Sequence, residues 1–564
     1  MNYLQKAQKW KDFEGLDPIY REQLENMTEK ELKEAFTHDL TFGTGGLRGT
    51  LGAGTAHINY YVVRKATYGF GKYLETIENA HSRGVVISHD NRAFSKEFAL
   101  DTAKVFSTMG FKVYLFEDLR PTPELSYAVR HFSAVGGVMI TASHNPKEYN
   151  GYKIYDEYGC QLVPHLADKV IEEINKIGDY FAIDNTKNHE LITYVGSEVD
   201  EVYRKAVNTI RINPELKGNF KVVYTPLHGT GQVFATEVLR ENGFDCYPVM
   251  SQMTNDPNFS GVRTSNPENP EAFIEAIEYA KEIGASIVLA TDPDADRLGM
   301  GILHNGEFVL LNGNESATVM VDYICSQLKA RGELPENGWV YSTNVSGSLP
   351  LKIAESYGLK TYTSLTGFKF IGEQAHKVKA NGGIYVYGYE ESYGCLIKDF
   401  VRDKDAIQAI LMICEIAAWC ETQGMDVIDY LDKISDREGY FNESQENIYL
   451  RGLEGKEKIN KIMETFRHGE VNLNFGEIIK KEDNLLQIAY EYEGNKILTS
   501  TIDLPKSNVL KYFLDDESWF VLRPSGTEPK LKVYFSTVGD SKEHAIKKNA
   551  KLRAEVMKLI DKIN

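Results

Sequence analysis

Ser143 lies in a short polar loop, Thr141-Ala-Ser-His-Asn-Pro146, that directly follows an apolar run over residues 136–140. The run predicts a buried strand, and in open α/β sheets ligands bind at loops that follow the carboxyl ends of strands. A serine in such a loop can carry a phosphoryl group, and the adjacent His144 can transfer protons. A turn without chemistry would also use Ser, Asn and Pro, and the loop by itself favours that interpretation; the other loops of the chain change it.

Three aspartates alternate with other residues in Thr291-Asp-Pro-Asp-Ala-Asp-Arg297, after a second apolar run over residues 285–290. In an extended segment Asp292, Asp294 and Asp296 would point to the same side, and three ionised carboxylates there require a cation among them. Oxygen ligands favour Mg²⁺, and the segment lacks the glycine and glutamate that an EF-hand needs. An aspartate nucleophile of a phosphatase and a solvated acidic turn are the alternatives.

A third loop, Arg523-Pro-Ser-Gly-Thr-Glu-Pro529, combines a guanidinium, two hydroxyls and a glycine. The backbone at Gly526 can present successive N–H groups to an anion, and Arg523 can bind phosphate through two parallel hydrogen bonds. Pro-Ser-Gly is also good turn chemistry, so a simple hairpin explains the same residues equally well.

A fourth loop, Tyr389-Glu-Glu-Ser-Tyr-Gly394, follows a predicted strand. Its carboxylates can accept hydrogen bonds from adjacent sugar hydroxyls, and its tyrosines supply apolar faces; an exposed acidic turn is the alternative. The nearby segment Thr366-Gly-Phe-Lys369 adds a cation that an ordinary surface lysine would also explain.

Two more cations accompany the Ser143 loop in the sequence. Arg48 lies in Phe42-Gly-Thr-Gly-Gly-Leu-Arg-Gly49, where a guanidinium in a flexible glycine-rich loop suits phosphate, although a solvated arginine is the default. Lys153, in Asn150-Gly-Tyr-Lys-Ile154, is expected near the serine. Neither a dinucleotide-binding G-x-G-x-x-G nor a P-loop sequence occurs, so these nucleotide sites are not predicted.

The elements that position these loops alternate between apolar strands and helices along most of the chain. This rhythm predicts an α/β protein with three similar domains, whose mixed sheets are mostly parallel. From about residue 440 the strand-like segments become shorter and predict a C-terminal α+β domain. We expect the domains at 1–208, 209–312, 313–438 and 439–564, arranged around a central cleft because each domain contributes one of the polar loops.

The composition excludes several other classes of protein. The 564 residues carry a net charge of −18 without a segregated basic patch, so nucleic acid is not an expected partner. The six cysteines form no C-x-x-C pair, which is typical of reduced thiols and indicates a cytoplasmic protein. No segment reads as a signal peptide or a membrane span, so no membrane partner is expected.

The sequences T-A-S-H-N-P and D-P-D-A-D-R, in this order and spacing, resemble those of the α-D-phosphohexomutase superfamily. The resemblance runs from about residue 40 to the C-terminus and is greatest to the bacterial phosphoglucomutases. It implies that Ser143 is a phosphoserine nucleophile and donor, and that Ser143, Asp292, Asp294 and Asp296 hold one Mg²⁺.

The same resemblance implies roles for the other loops. Glu390 and Ser392 would bind sugar hydroxyls, and Lys153 matches the family lysine suggested for proton transfer. Arg48, His144 and Arg297 would flank the transferring phosphoryl group. The remaining predicted substrate-binding residues are Thr366, Gly367 and Lys369, with Arg523, Ser525, Gly526 and Thr527 on the non-reacting phosphate.

The expected activity is interconversion of glucose 1-phosphate and glucose 6-phosphate through a glucose 1,6-bisphosphate intermediate, which also serves as activator. Members acting on mannose phosphates often have G-E-M-S-G-H in the sugar loop, whereas this chain has glutamate in place of the methionine. Tyr389 replaces the glycine expected before the first glutamate, so phosphopentomutase and phosphomannomutase activities stay open. A phosphatase using Asp292 or Asp294, a non-catalytic sugar-phosphate binder, and a monomer or dimer stay open as well.

Overall fold

A computed structural model describes residues 1–43, 46–186, 188–450, 452–494, 496–525 and 530–563 of the chain. The chain forms two compact units. The first unit contains residues 1–312, 372–388 and 392–426, and the second contains residues 313–371, 389–391 and 427–564. The Ser143 and Asp292–Asp296 loops therefore belong to the first unit.

The first unit begins with a six-stranded sheet of order β1-β5-β4-β2-β3-β6. Parallel pairing joins β4, β2, β3 and β6, whereas β5 is antiparallel to both β4 and β1. Every residue of β2 and β4 is buried, as expected for strands covered on both faces. The strands are β1 (Leu47–Thr50), β2 (Val85–His89), β3 (Val113–Phe116), β4 (Gly136–Ile140), β5 (Tyr149–Asp156) and β6 (Ile192–Val195).

A second, five-stranded sheet in this unit has the order β11-β10-β9-β7-β8. It is parallel across β9, β7 and β8 and antiparallel across β11, β10 and β9. The aspartate loop follows β9, whose residues are all buried. The strands are β7 (Lys221–Thr225), β8 (Asp245–Pro248), β9 (Ile287–Thr291), β10 (Leu298–His304) and β11 (Glu307–Leu311).

Helices connect these strands, as the alternation in the sequence predicts. They are α1 (Tyr3–Asp12), α2 (Pro18–Asn26), α3 (Glu29–Phe36), α4 (Tyr60–Leu74), α5 (Ala80–Arg83), α6 (Ser95–Thr108), α7 (Thr122–His131), α8 (Pro164–Asn175), α9 (Ser197–Asn208), α10 (Ala235–Glu241) and α11 (Ile274–Ile283).

The second unit begins with a further α/β segment. Its strands β12 (Gly338–Thr343) and β13 (Lys360–Ser364) pair in parallel, and a helix connects them along the chain. The helices here are α12 (Gly313–Ala330) and α13 (Leu349–Ser356). The chain passes between the two units within α14 (Phe368–Ala380) and β14 (Ile384–Tyr389). The next elements, β15 (Cys395–Leu396) and α15 (Ala406–Thr422), belong to the first unit, and α16 (Val427–Glu438) belongs to the second.

The C-terminal part of the second unit is a seven-stranded sheet of order β16-β22-β21-β20-β17-β18-β19, antiparallel throughout. Apolar side chains from the sheet pack against α17 (Gly452–His468) and α18 (Lys542–Asp561). The strands are β16 (Tyr440–Tyr449), β17 (Ile478–Asp483), β18 (Ile488–Glu493), β19 (Lys496–Thr501), β20 (Leu510–Leu514), β21 (Trp519–Pro524) and β22 (Lys530–Gly539).

The predicted fold class is confirmed: mixed α/β sheets precede a C-terminal α+β domain. Ser541 caps α18 by accepting a hydrogen bond from the His544 backbone, as its position predicts. The sequence pattern did not identify the long strand β16, because its polar, half-exposed residues lack a clear apolar period. It did not identify the helix α17 either, although Ile459, Ile462, Met463 and Phe466 are buried at helical spacing. Among the described helices, none combines the length and apolar character needed to cross a bilayer.

Candidate active site

The Ser143 loop connects β4 to β5, which form an antiparallel pair. Ser143 is buried and has a left-handed backbone, with a φ of 52°. Its backbone N–H donates to Thr141 Oγ1 over 2.8 Å. Non-glycine residues rarely adopt this conformation unless the surrounding structure holds them in it. The loop therefore presents the serine hydroxyl in a defined direction.

The guanidinium of Arg92 holds this loop. Its side chain is fully buried, and Nε lies 3.3 Å from Asp90 Oδ2. A single guanidinium with several donors in one plane can fix several acceptors at once. It donates to four backbone carbonyls of the loop and its exit, those of Ser143, Asn145, Pro146 and Tyr149.

The aspartate segment is a tight turn, and the predicted extended conformation is wrong. Ala295 has a left-handed φ of 52°, and its N–H donates to the Asp292 carbonyl over 2.9 Å. Asp292 Oδ1 accepts from the backbone N–H groups of Asp296 and Arg297, each over 3.1 Å. The three carboxylates therefore converge because Asp292 closes the turn around its own side chain, and not because alternate residues share a side.

The predicted convergence itself is confirmed. One oxygen from each of Asp292, Asp294 and Asp296 lies within 4.8 Å of the others, and all three residues are buried. Asp294 Oδ1 and Asp296 Oδ1 are buried and have no hydrogen-bond partner among the described residues. Buried carboxylate oxygens without donors fit a hard divalent cation, so the residues present fit the metal that the sequence predicts.

The other oxygens of Asp294 and Asp296 face cations and hydroxyls. Asp294 Oδ2 accepts from Lys153 Nζ over 2.7 Å and from Thr122 Oγ1 over 2.9 Å. Asp296 Oδ2 lies 3.1 Å from Lys404 Nζ and 3.5 Å from Lys153 Nζ. Each of these carboxylates thus keeps one oxygen on the protein and leaves the other available to a ligand.

These contacts shift the pKa values of the buried groups. Burial acts to lower the pKa of Lys153, but Asp294 and Asp296 outweigh it and the pKa is raised. Burial acts to raise the pKa of Asp294, but Lys153 lowers it below the usual range. Burial, followed by repulsion from Asp294 and Asp296, raises the pKa of Asp292 well above that of a free carboxyl. Lys153 is therefore a charged partner of the carboxylates in this state.

Ser143 joins the carboxylate cluster directly. Its Oγ donates to Asp292 Oδ2 over 2.7 Å and lies 3.2 Å from His144 Nδ1. Burial, together with repulsion from Arg297 and Arg48, lowers the pKa of His144 well below its ordinary value. The serine hydroxyl thus adjoins two groups that can accept its proton, and it lies beside the candidate metal site.

Two arginines of the prediction lie near this cluster. Arg48 is in β1 and not in a flexible loop as predicted, because residues 47–50 pair with β5. It is exposed and donates to Asn145 Oδ1 over 2.9 Å. Arg297 donates to Glu268, and its Nε lies 3.7 Å from Asp296 Oδ1.

In the second unit, two of the predicted sugar-binding segments are joined by a hydrogen bond. The Gly367 N–H donates to Glu390 Oε1 over 2.8 Å, and Gly367 has a φ of 119°, which favours glycine. Thr366 precedes this glycine in the same loop, while Lys369 is the second residue of α14 and is buried. Ser392 falls in the first unit and is half-buried.

The predicted phosphate loop follows β21, which contains Arg523. Ser525 closes the described part of the loop, since its N–H donates to the Lys530 carbonyl over 2.7 Å. The location between two paired strands agrees with the prediction. Gly526 and Thr527 lie outside the described residues.

Four residues near the site were not identified from the sequence: Arg92, Thr122, Glu268 and Lys404. Each contacts a predicted residue that is distant along the chain, as Thr122 does with Asp294. Arg92 and Lys404 sit in Asp90-Asn-Arg92 and Arg402-Asp-Lys404, where a charged pair directly after a buried strand or before a buried helix was the available signal.

Four family models match consecutive parts of the chain. They describe the phosphoglucomutase/phosphomannomutase α/β/α domains I, II and III, which match residues 39–181, 201–304 and 312–436, and the C-terminal domain, which matches residues 471–552. The exact boundaries predicted at residues 208, 312 and 438 stay a prediction.

Phosphoglucomutases of two staphylococci match most of the chain. A phosphoglucomutase of Staphylococcus epidermidis is 38% identical over 518 residues, which are 91% of this chain and 93% of the relative. One of Staphylococcus aureus is 36% identical over 527 residues, or 92% and 93% of the two chains. The crystal structure of pp63/parafusin, a phosphoglucomutase from Paramecium, shares the fold with a TM-score of 0.67 and 18% identity, covering 92% and 94% of the chains.

Proposed function

Because the chain belongs to the phosphoglucomutase/phosphomannomutase family, we propose that it is an isomerase that interconverts α-D-glucose 1-phosphate and glucose 6-phosphate. The observation that carries this proposal is the Ser143 hydroxyl, which donates to Asp292 inside a cluster of three buried carboxylates. Relatives named phosphoglucomutase at 36–38% identity favour glucose as the sugar.

In the proposed reaction, phosphorylated Ser143 transfers its phosphoryl group to the free hydroxyl of the sugar phosphate. The Oγ–P bond breaks and a new bond forms to the sugar oxygen. The proton that this hydroxyl loses passes to His144, whose pKa is lowered, and from there to Ser143 Oγ; Lys153, the other predicted proton acceptor, is charged beside Asp294 and Asp296. The bound glucose 1,6-bisphosphate then reorients and returns its other phosphoryl group to Ser143. His144 and Asp292 adjoin the serine oxygen and can take up or return its proton.

Mg²⁺ is the metal we propose, held by Ser143, Asp292, Asp294 and Asp296, where it would stabilise charge on the transferring phosphoryl group. Lys153 and Lys404 hold Asp294 and Asp296 in place from the opposite oxygens. Arg48 and Arg297 supply further positive charge toward the phosphoryl group.

We propose that Glu390 accepts hydrogen bonds from the sugar hydroxyls and that Ser392 donates to them. Thr366, Gly367 and Lys369 complete the contact with the sugar. Arg523 and Ser525 are proposed to hold the non-reacting phosphate, with Gly526 and Thr527 in the same loop. The support is the bond between Gly367 and Glu390 and the position of Arg523 at a strand end. No disulfide links the six cysteines, all of which are among the described residues, and this supports the cytoplasm as the predicted compartment.

Initial rates test the substrate assignment. With Mg²⁺ and a trace of glucose 1,6-bisphosphate, we expect the protein to prefer glucose 1-phosphate over mannose 1-phosphate and ribose 1-phosphate, without release of free phosphate. Preference for ribose 1-phosphate would contradict the sugar and leave the mechanism intact. Steady phosphate release without isomerisation would contradict the role of Ser143 and favour a phosphatase using Asp292 or Asp294.

The four hydrogen bonds from Arg92 to backbone carbonyls, which we call the carbonyl clamp, lead to a second prediction. Arg92→Lys keeps the positive charge beside Asp90 but cannot bind four carbonyls in one plane, so the Ser143 loop loses its fixed direction. We expect kcat to fall by about 10- to 100-fold, because small errors in the position of a nucleophile are costly.

Arg83→Lys is the matched control for this variant. Arg83 also donates to two backbone carbonyls in the first unit, those of Ser133 and Ala134, but it does not contact the Ser143 loop through any described hydrogen bond. Its replacement should leave kcat within about two-fold of the wild type, as for surface substitutions in general. Equal effects of the two variants would refute the clamp.

A further inference from the structure

The loop Thr343–Gly347, which we call the coupling loop, contacts two parts of the second unit that the proposed function assigns to substrate. It follows β12 and is buried throughout. Its hydrogen bonds extend in two directions.

In one direction the coupling loop binds Glu391. Ser346 Oγ donates to Glu391 Oε2 over 2.8 Å, and the Glu391 N–H donates back to Ser346 Oγ over 3.0 Å. Thr343 Oγ1 lies 3.4 Å from the same carboxylate oxygen. Glu391 therefore faces the coupling loop and acts as an anchor for Glu390, the adjacent residue proposed to bind sugar hydroxyls.

Tyr389 reinforces this anchor on the other side of Glu390. Its hydroxyl is buried and donates to the Gly347 carbonyl over 2.7 Å. The Gly347 N–H in turn donates to Asn314 Oδ1 over 2.8 Å, which ties the end of the coupling loop to α12. Residues on both sides of Glu390 are thus held by one loop.

In the other direction the coupling loop binds the C-terminal sheet. Lys511 Nζ, from β20, donates to the Asn344 carbonyl over 3.0 Å and lies 4.2 Å from the centre of the Trp519 ring. Val345 packs in a buried apolar cluster with side chains of this sheet, those of Val509, Trp519, Val521 and Tyr534. Lys511 lies opposite Val521 on β21, the strand that contains Arg523.

We propose that the coupling loop fixes the spacing between the sugar-hydroxyl contact at Glu390 and the phosphate contact at Arg523, with Ser346 and Lys511 as positioning residues. A hexose phosphate must satisfy both contacts at once, so a fixed spacing strengthens its binding by preorganisation. This role rests on the proposed function, because it assigns Glu390 and Arg523 to one substrate. It differs from that function in needing no chemistry at Ser143.

The substitution Lys511→Met separates the positioning role of Lys511 from a contribution to the stability of the fold. Burial lowers the pKa of Lys511 to about 8, below that of a free lysine. A charged Lys511 therefore costs free energy in the folded protein, and a substitution that removes the charge should not destabilise the fold. Methionine has a similar length and keeps the contacts with Trp519, but it cannot donate to Asn344.

The chain offers a matched control in the neighbouring strand. Lys481, in β17, is also buried, has a pKa lowered by burial, and donates to a backbone carbonyl, that of Arg467, over 3.0 Å. Lys481 lies in the same sheet as Lys511, but its hydrogen bond does not involve the coupling loop. Ser435→Ala is the control for Ser346→Ala, because the Ser435 hydroxyl, on α16 of the same unit, donates to the Leu431 carbonyl and has no described hydrogen bond to the coupling loop.

Steady-state kinetics and hydrogen exchange test the proposal on the full chain. We expect Lys511→Met and Ser346→Ala each to raise KM for glucose 1-phosphate by about three- to ten-fold, the usual effect of losing one hydrogen bond, with kcat changed less than about two-fold. The KM of the double variant should not exceed that of the single variant with the higher KM, because both substitutions break the same connection between Glu390 and Arg523. Lys481→Met and Ser435→Ala should leave KM unchanged.

Hydrogen exchange decides the coupling whether or not the wild type turns over glucose 1-phosphate. Lys511→Met should speed amide exchange in the segment around residues 389–391, although Lys511 does not touch that segment through any described hydrogen bond. Exchange there that is unchanged, or equally fast in Lys481→Met, would overturn the proposal. A wild type without mutase activity but with this exchange pattern would refute the proposed function alone.

Discussion

Ser143→Ala is expected to abolish the interconversion of glucose phosphates, with kcat reduced by more than about 1,000-fold, because no other group would carry the phosphoryl group. The fold should survive, since the Ser143 N–H to Thr141 bond and the Arg92 contacts use the backbone. After incubation with glucose 1,6-bisphosphate, intact mass spectrometry should find one added phosphoryl group on the wild type and none on the variant.

Ser88→Ala is the control for this variant. Ser88 is a buried serine on β2, and its hydroxyl donates to the Arg120 carbonyl rather than to a carboxylate. Its loss should leave the phosphoryl group and most of the activity in place. Substantial turnover by Ser143→Ala, or phosphate on another residue, would exclude Ser143 as the donor and favour an aspartate nucleophile.

Asp292→Asn should remove the response to Mg²⁺ without destabilising the metal-free protein. The amide oxygen can still accept from the Asp296 and Arg297 N–H groups, and the change removes a carboxyl group whose charged form is disfavoured by burial and by the other two aspartates. We expect Tm of the metal-free variant to equal or exceed that of the wild type, because repulsion among the carboxylates is relieved.

Addition of Mg²⁺ should raise Tm of the wild type by about 2–4 °C and leave that of the variant unchanged, since a ligand stabilises only the state that binds it. Activity should fall by at least about 100-fold, because a metal ion contributes several kcal/mol to the stabilisation of transferring charge. Asp245→Asn, at the exposed start of β8, should respond to Mg²⁺ like the wild type. A variant that still gains stability from Mg²⁺ would place the metal elsewhere.

Much of this site could be predicted from the sequence because its parts are local. A buried strand followed by a short polar loop predicts both the strand and the edge at which its side chains act, and this holds for Ser143 after β4 and for Asp292 after β9. The motifs also predict the family, which the domain matches confirm. Local chemistry and strand period are properties that a few consecutive residues carry.

The sequence by itself determined the loops, their chemistry and the order of the domains. Only the tertiary structure decided how the groups meet. Asp292 folds the metal loop around its own carboxylate, contrary to the extended segment predicted, and Arg48 belongs to a strand because β5 pairs with it. Arg92, Thr122 and Lys404 reach the site from distant segments, as Lys511 reaches Asn344. Such contacts depend on packing between residues far apart in the chain, which no local pattern of residue types encodes.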